Sequence, residues 1–165
     1  MKVAIFFGSK SDSEVMKKSA DILSEFGVEY KAFIISAHRA GALLHETVKK
    51  VEREGFEVII AGAGLAAALP GVIAGITTLP VIGVPLECVT PDKSNGLGGM
   101  DALLSIVQMP PQIPVATVGI NSSKNAAYLA VQILAIKYPI LREKLIDFRK
   151  KLAEEAAKCG LEVSL

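Results

Sequence analysis

Short continuous apolar runs alternate along this chain with segments whose apolar residues recur at helical spacing. Val3-Ala4-Ile5-Phe6-Phe7 is the first run and stops at Gly8. An unbroken run of that length suits a strand covered on both faces, as in a parallel sheet. From Ser13 to Phe26 the apolar positions Val15, Met16, Ala20, Ile22, Leu23 and Phe26 keep the helical period, and Gly27 supplies a stop. The same reading predicts a buried second strand over Tyr30–Ile35, a helix from about Ala42 to Glu54 closed by Gly55, and a third strand over Glu57–Ala61. A small-residue helix then runs towards Ile76. It is followed by a fourth strand over Pro80–Val84, a long loop from Pro85 to Gly98 and a short helix over Met100–Val107. A fifth strand over Pro114–Val118 and two helices, Ser123–Lys137 and Leu141–Cys159, complete the pattern.

Strands that alternate with helices in this way predict an α/β fold: a three-layer, flavodoxin-like domain. Its doubly wound parallel sheet has the order 2-1-3-4-5, and a long C-terminal helix follows. The 165 residues suit a single domain, 1–165, large enough to bury a core of its own. With 51% hydrophobic and 21% charged residues the composition is that of a folded chain. The formal net charge of +1 provides no long-range field for nucleic acid or an anionic membrane. Met1-Lys2-Val3-Ala4-Ile5 reads as a strand, and no apolar run reaches spanning length without a glycine, proline or polar break. A soluble, cytoplasmic protein is expected. Cys88 and Cys159 lie far apart without metal-ligand spacing, and no Asp/Glu/His/Cys cluster of ligand type occurs, so no metal is expected.

In such a sheet the loops that follow the strands open on one edge. Gly8-Ser9-Lys10-Ser11-Asp12, Ser36-Ala37-His38-Arg39 and Gly62-Ala63-Gly64 are therefore expected to converge, although they are far apart in sequence. The first loop has the composition of a phosphate site: Gly8 admits a close backbone approach, Ser9 and Ser11 offer hydroxyls, and a helix N-terminus lies beside them. Asp12 can cap that helix or accept hydrogen bonds from a sugar, and the same string also suits an ordinary capped helix start. It is neither a Walker loop nor a dinucleotide fingerprint. Gly62-Ala63-Gly64-Leu65-Ala66-Ala67 lacks a third glycine and suits either a backbone-lined crevice wall or close helix–sheet packing. His38 is one of only two histidines, with His45, and is the first group to examine for proton transfer near neutral pH. Arg39 can hold a carboxylate or phosphate, or form a surface ion pair. The stretch Asn95-Gly96-Leu97-Gly98-Gly99-Met100-Asp101 suits a lid or a plain connection.

Seven strings in order resemble the PurE family of purine biosynthesis. They are the two loops that end in Asp12 and Arg39, then Ala61-Gly62-Ala63-Gly64, Leu69-Pro70-Gly71, Pro80-Val81-Ile82-Gly83-Val84-Pro85, Ser105-Ile106-Val107-Gln108-Met109-Pro110 and Asn125-Ala126-Ala127. The resemblance implies a homo-octamer that acts on carboxylated aminoimidazole ribonucleotides and CO2 without metal, nucleotide or biotin. It implies His38 as the proton carrier, Ser9 and Asp12 at the ribose and phosphate region, and Arg39 at the phosphate. Ser11, Ser36 and the backbone of Ala63 and Gly64 would line the reacting end, with Gly8 in the same loop.

The family has a mutase branch, which moves a carboxylate from the exocyclic nitrogen to C4, and a carboxylase branch, which adds CO2 to C4 directly. Ala68 stands where the mutase branch usually has histidine and leans towards the carboxylase. Ala40-Gly41 replaces the mutase branch's Thr-Pro. Arg39, where the carboxylase has lysine, leans towards the mutase. The loop from Glu87 to Gly99 is longer than usual. Mutase activity is the first expectation. The alternatives are the direct carboxylase, a paralogue acting on another carboxylated heterocycle, and a non-enzymatic binding module. A phosphorelay receiver would need acidic residues where Gly8-Ser9 and Gly62-Ala63 stand, and a flavin binder would need aromatics that the crevice loops lack.

Overall fold

A computed structural model describes residues 1–88 and 97–160. Most of the predicted long loop, including Asn95-Gly96, lies outside these residues. Strands β1 (Lys2–Phe7), β2 (Glu29–Ile34), β3 (Val58–Gly64), β4 (Val81–Leu86) and β5 (Ala116–Thr117) form one parallel sheet in the order β2-β1-β3-β4-β5. Its helices are α1 (Ser13–Phe26), α2 (Gly41–Arg53), α3 (Leu69–Ile76), α4 (Met100–Val107), α5 (Ser123–Ala135) and α6 (Pro139–Cys159).

The alternation of side chains along each strand divides the core in two. Val3, Ile5 and Phe7 of β1 pack with α1, α5 and the start of α6, whereas Ala4 and Phe6 pack with α2, α3 and α4. Both faces of β1, β3 and β4 are therefore covered, which is why these strands read as unbroken apolar runs. On α2, Leu44, Val48 and Val51 are fully buried at helical spacing, each contributing about 1.5–3 kcal/mol of hydrophobic stabilisation. Gly27 ends α1 in the left-handed region, with φ 73°, and its N–H returns to the carbonyls of Leu23 and Ser24.

Five expectations are corrected. β2 was expected to be buried but is an edge strand, with Tyr30 38% and Ile34 47% exposed, because it pairs only with β1. Gly62-Ala63-Gly64 is the end of β3 and not a loop, and β4 likewise runs on to Leu86, because Ala63 pairs with Pro85 and Gly64 with Leu86. β5 shrinks to two residues, paired to β4 through Ala116 and Thr117, next to a proline-rich approach that can donate few ladder hydrogen bonds. α6 starts two residues early because Pro139 sits in its first turn, where no N–H is needed.

Candidate active site

The ladder that orders the sheet also places the site. The Ile35 N–H donates to the Phe7 carbonyl at 2.9 Å, so the chain leaves β2 beside the end of β1. Ser36 then enters a turn over Ala37–Arg39, closed by the Ala40 N–H on the Ser36 carbonyl at 2.9 Å, and α2 follows. Phe7 pairs with Gly62 on its other side, so Ala63 and Gly64 extend past the end of β1 next to Gly8. Gly8, Ser9, Ser11, Asp12, Ser36, His38, Arg39, Ala63 and Gly64 all line one cavity of about 250 Å³. Every residue singled out from the sequence as a candidate is brought to that place.

The first loop makes a one-turn 3-10 helix over Lys10–Asp12 before α1. The Ser9 N–H donates to Asp12 Oδ2 at 3.0 Å, and Ser11 Oγ donates to Ser9 Oγ at 3.0 Å and to Asp12 Oδ1 at 3.3 Å. Asp12 therefore closes its own turn and makes no side-chain cap on α1. Each carboxylate oxygen keeps a free lone pair for a hydroxyl from the cavity. Burial pushes the Asp12 carboxyl above its ordinary range, and hydrogen bonds from the Ser11 hydroxyl and the Ser9 and Gly8 backbone only partly oppose this.

Arg39 donates from Nε to Ser36 Oγ at 3.3 Å, and its side chain is exposed, as is that of His38. Several ion pairs gather at the opposite edge of the sheet, where Lys31 meets Glu54 at 2.7 Å and Lys137 meets Glu57 at 2.8 Å. The cavity edge thus carries the Arg39 cation and a half-buried Asp12 carboxylate, while ion pairing satisfies much of the charge at the far edge. Among the described residues, no group of three or more His, Cys, Asp or Glu could hold a metal ion, and no helix is long and apolar enough to cross a membrane.

The two glycines of β3 have different jobs. A Cβ at Gly62 would come within 2.5 Å of Met16 Sδ, so this residue serves helix–sheet packing. A Cβ at Gly64 would come within 3.0 Å of the Leu86 carbonyl oxygen, so glycine lets β3 and the chain beyond β4 approach. At Gly8 a Cβ would meet nothing within 4 Å among the described residues, and the residue faces the cavity. Ala37, Leu65, Ala67, Ala68, Leu69 and Cys88 also line the cavity. In the sequence Ala68 is marked only as a departure from the family pattern, and Cys88 only as one of two distant cysteines without metal-ligand spacing. The signal for Cys88 was topological: it follows the strand next to β3 and so reaches the same edge.

The family model described as AIR carboxylase matches residues 2–155. A protein of Pyrococcus abyssi named N5-carboxyaminoimidazole ribonucleotide mutase is 56% identical over 92% of this chain and 83% of its own length. Proteins of the same name from Saccharolobus solfataricus and Thermotoga maritima are 48% and 51% identical, over 98% and 93% of this chain and 98% and 86% of their own lengths. The crystal structure of Treponema denticola PurE superposes with a TM-score of 0.83 at 27% identity, covering 95% of this chain and 94% of that one. With the family pattern spanning nearly its whole length, the chain belongs to the AIR carboxylase family.

Proposed function

We propose that this chain converts N5-carboxyaminoimidazole ribonucleotide to 4-carboxy-5-aminoimidazole ribonucleotide, in purine biosynthesis. The carrying observation is that His38, Arg39, Ser9, Ser11 and Asp12 share one cavity with a wall of small and apolar residues, in a chain whose relatives bear the mutase name. Cleavage of the carbamate N–C bond leaves its electron pair on the exocyclic nitrogen and frees CO2. Imidazolium at His38 returns a proton to that nitrogen. C4 then attacks CO2, and neutral His38 removes the C4 proton, which restores aromaticity and the starting protonation state. Ala63, Ala67 and Ala68 would keep CO2 beside C4, where proximity favours recapture. Ser9 and Asp12 would hold the ribose and phosphate region, Arg39 the phosphate, and Ser11, Ser36 and Gly64 the reacting end.

Ala68 on the cavity wall is the one observation that favours the direct carboxylase instead. A paired assay without ATP or metal separates the two. Rapid product from the carbamate substrate alone supports the mutase. Efficient product from aminoimidazole ribonucleotide at modest CO2 supports the carboxylase. No product from either substrate overturns both readings.

Homo-octameric assembly in the cytoplasm belongs to the same proposal. It is supported by apolar surface away from the cavity: Ile34 on the edge strand, Val72, Leu104 and Val107 are each 41–50% exposed. A groove of about 830 Å³ between α5 and α6, lined by Tyr128, Leu129, Leu145, Phe148 and Leu152, adds to that surface.

Asp12 and Gly8 give two further expected outcomes. Burial raises the folded-state pKa of Asp12, so between the ordinary carboxylate value and the folded one the native state holds the extra proton. Stability therefore falls as pH rises through that window, and above it the ionised carboxylate is a cost to the free protein. Asp12→Asn keeps an acceptor for Ser9 and a donor for Ser11, so its melting temperature stays equal or rises while KM increases about tenfold. A lower melting temperature with an unchanged KM would place Asp12 in the fold and not at the substrate. Gly8→Ala leaves stability unchanged or raises it by up to about 1 kcal/mol, because its methyl meets no atom of the described residues. Its KM increases because that methyl enters the cavity; unchanged kinetics would show that no substrate atom approaches Gly8.

A further inference from the structure

The cavity is divided by polarity, and the division follows the strand order. Loops after β2 and β1 supply His38, Arg39, Ser9 and Asp12, whereas chain after β3 and β4 supplies Leu65, Ala68 and Cys88. Leu65 differs from its neighbours in two independent ways. Its backbone lies in the left-handed region, with φ 54°, where a bulky L-residue is strained and glycine is the usual occupant. Its side chain is also 48% exposed at the cavity wall, whereas Leu69 nearby is 3% exposed. Neither hydrophobic core cluster includes Leu65. The free protein therefore bears backbone strain and an exposed apolar side chain without gain to its core. Strain of this kind collects where a ligand is gripped.

We infer that Leu65 is a specificity-determining residue that covers the flat, weakly polar heterocycle of the substrate, while Ser9, Asp12 and Arg39 hold the ribose phosphate. This inference rests on the carboxylate-transfer reading. A heterocycle seated against Leu65 would remove the exposed side chain from water only in the complex. Leu65 would then select for an apolar ring face rather than for the phosphate shared by all ribonucleotides.

The test measures kcat, KM and melting temperature for the unaltered chain and for Leu65→Gly, Leu65→Ala and Leu65→Met, with N5-carboxyaminoimidazole ribonucleotide as substrate. Leu65→Gly relieves the strained backbone, so its melting temperature equals or exceeds that of the unaltered chain. Its kcat/KM falls about tenfold, mainly through KM, the scale of apolar side-chain discrimination in a pocket. Leu65→Ala, which leaves the backbone chirality as it is, shows the same KM increase. Leu65→Met restores constants within about twofold of the original, since a long apolar side chain is regained. Unchanged KM in both truncated variants overturns the inference and leaves the reaction assignment standing. Failure of the unaltered chain to turn over this substrate overturns the reaction assignment, and the inference with it.

Discussion

His38→Asn abolishes measurable turnover while the protein stays folded. The reaction moves one proton on to nitrogen and another off C4, and His38 brings to the cavity an imidazole, a ring that can both give and take a proton. Asparagine can hydrogen-bond but does not carry protons. General acid–base catalysis contributes roughly 10² to 10⁴ in rate, so loss of both transfers brings kcat down by at least that much. The fold has little stake in this side chain: it is exposed, on a turn, and outside both core clusters. Its replacement should move stability by no more than about 0.5 kcal/mol. Steady-state kinetics and thermal melting on the same preparation check both halves. A variant with near-normal kcat would falsify the proton-carrier role. A variant that melts instead would contradict the small stake of the fold in this side chain, as the expected one binds substrate and merely fails to turn it over.

Arg39→Ala raises KM by roughly tenfold to a hundredfold and changes kcat little. Arg39 already donates from Nε to Ser36 Oγ, which leaves its terminal amino groups for an anion at the cavity mouth. A charge-assisted hydrogen bond to phosphate is worth about 1.5–3 kcal/mol, and this range sets the predicted KM effect. The phosphate takes no part in bond making, so ground state and transition state lose the contact equally and kcat is spared. Arg39→Lys recovers part of the loss, because an ammonium keeps the charge but not the planar fork. Raised ionic strength should weaken substrate binding in the unaltered chain more than in Arg39→Ala, since the side chain is exposed to screening. Unchanged constants in Arg39→Ala would remove it from the phosphate site.

The candidate site was more legible than its surroundings. Gly8, Ser9, Ser11, Asp12, Ser36, His38 and Arg39 follow strands recognisable from continuous apolar runs, and the order of a doubly wound sheet requires the ends of those strands to meet. Leu65 and Cys88 escaped notice for a physical reason. Leu65 reads as an interruption of a glycine-rich string, and only its φ of 54° and its exposed side chain show that it faces the cavity under strain. Cys88 reaches the cavity because Gly64 pairs with Leu86, a register that no local pattern encodes.

The edge strand shows the same division. The run Ala32-Phe33-Ile34-Ile35 has the composition of a covered strand, yet Ile34 is 47% exposed in this chain. Apolar composition marks a surface that will be covered, but it does not say whether the cover comes from the same chain.

By itself, the sequence determined the α/β class, the order of strands and helices, and the loops that carry the polar groups. These follow from hydrophobic period, glycine stops and proline positions, which act over a few residues. Tertiary structure alone decided how far β3 runs, which glycine packs against Met16 and which admits Leu86, and why the Asp12 carboxyl is hard to ionise. Those properties depend on strand register and burial between residues up to about half the chain apart, and water exclusion at a site exists only once the strands have paired.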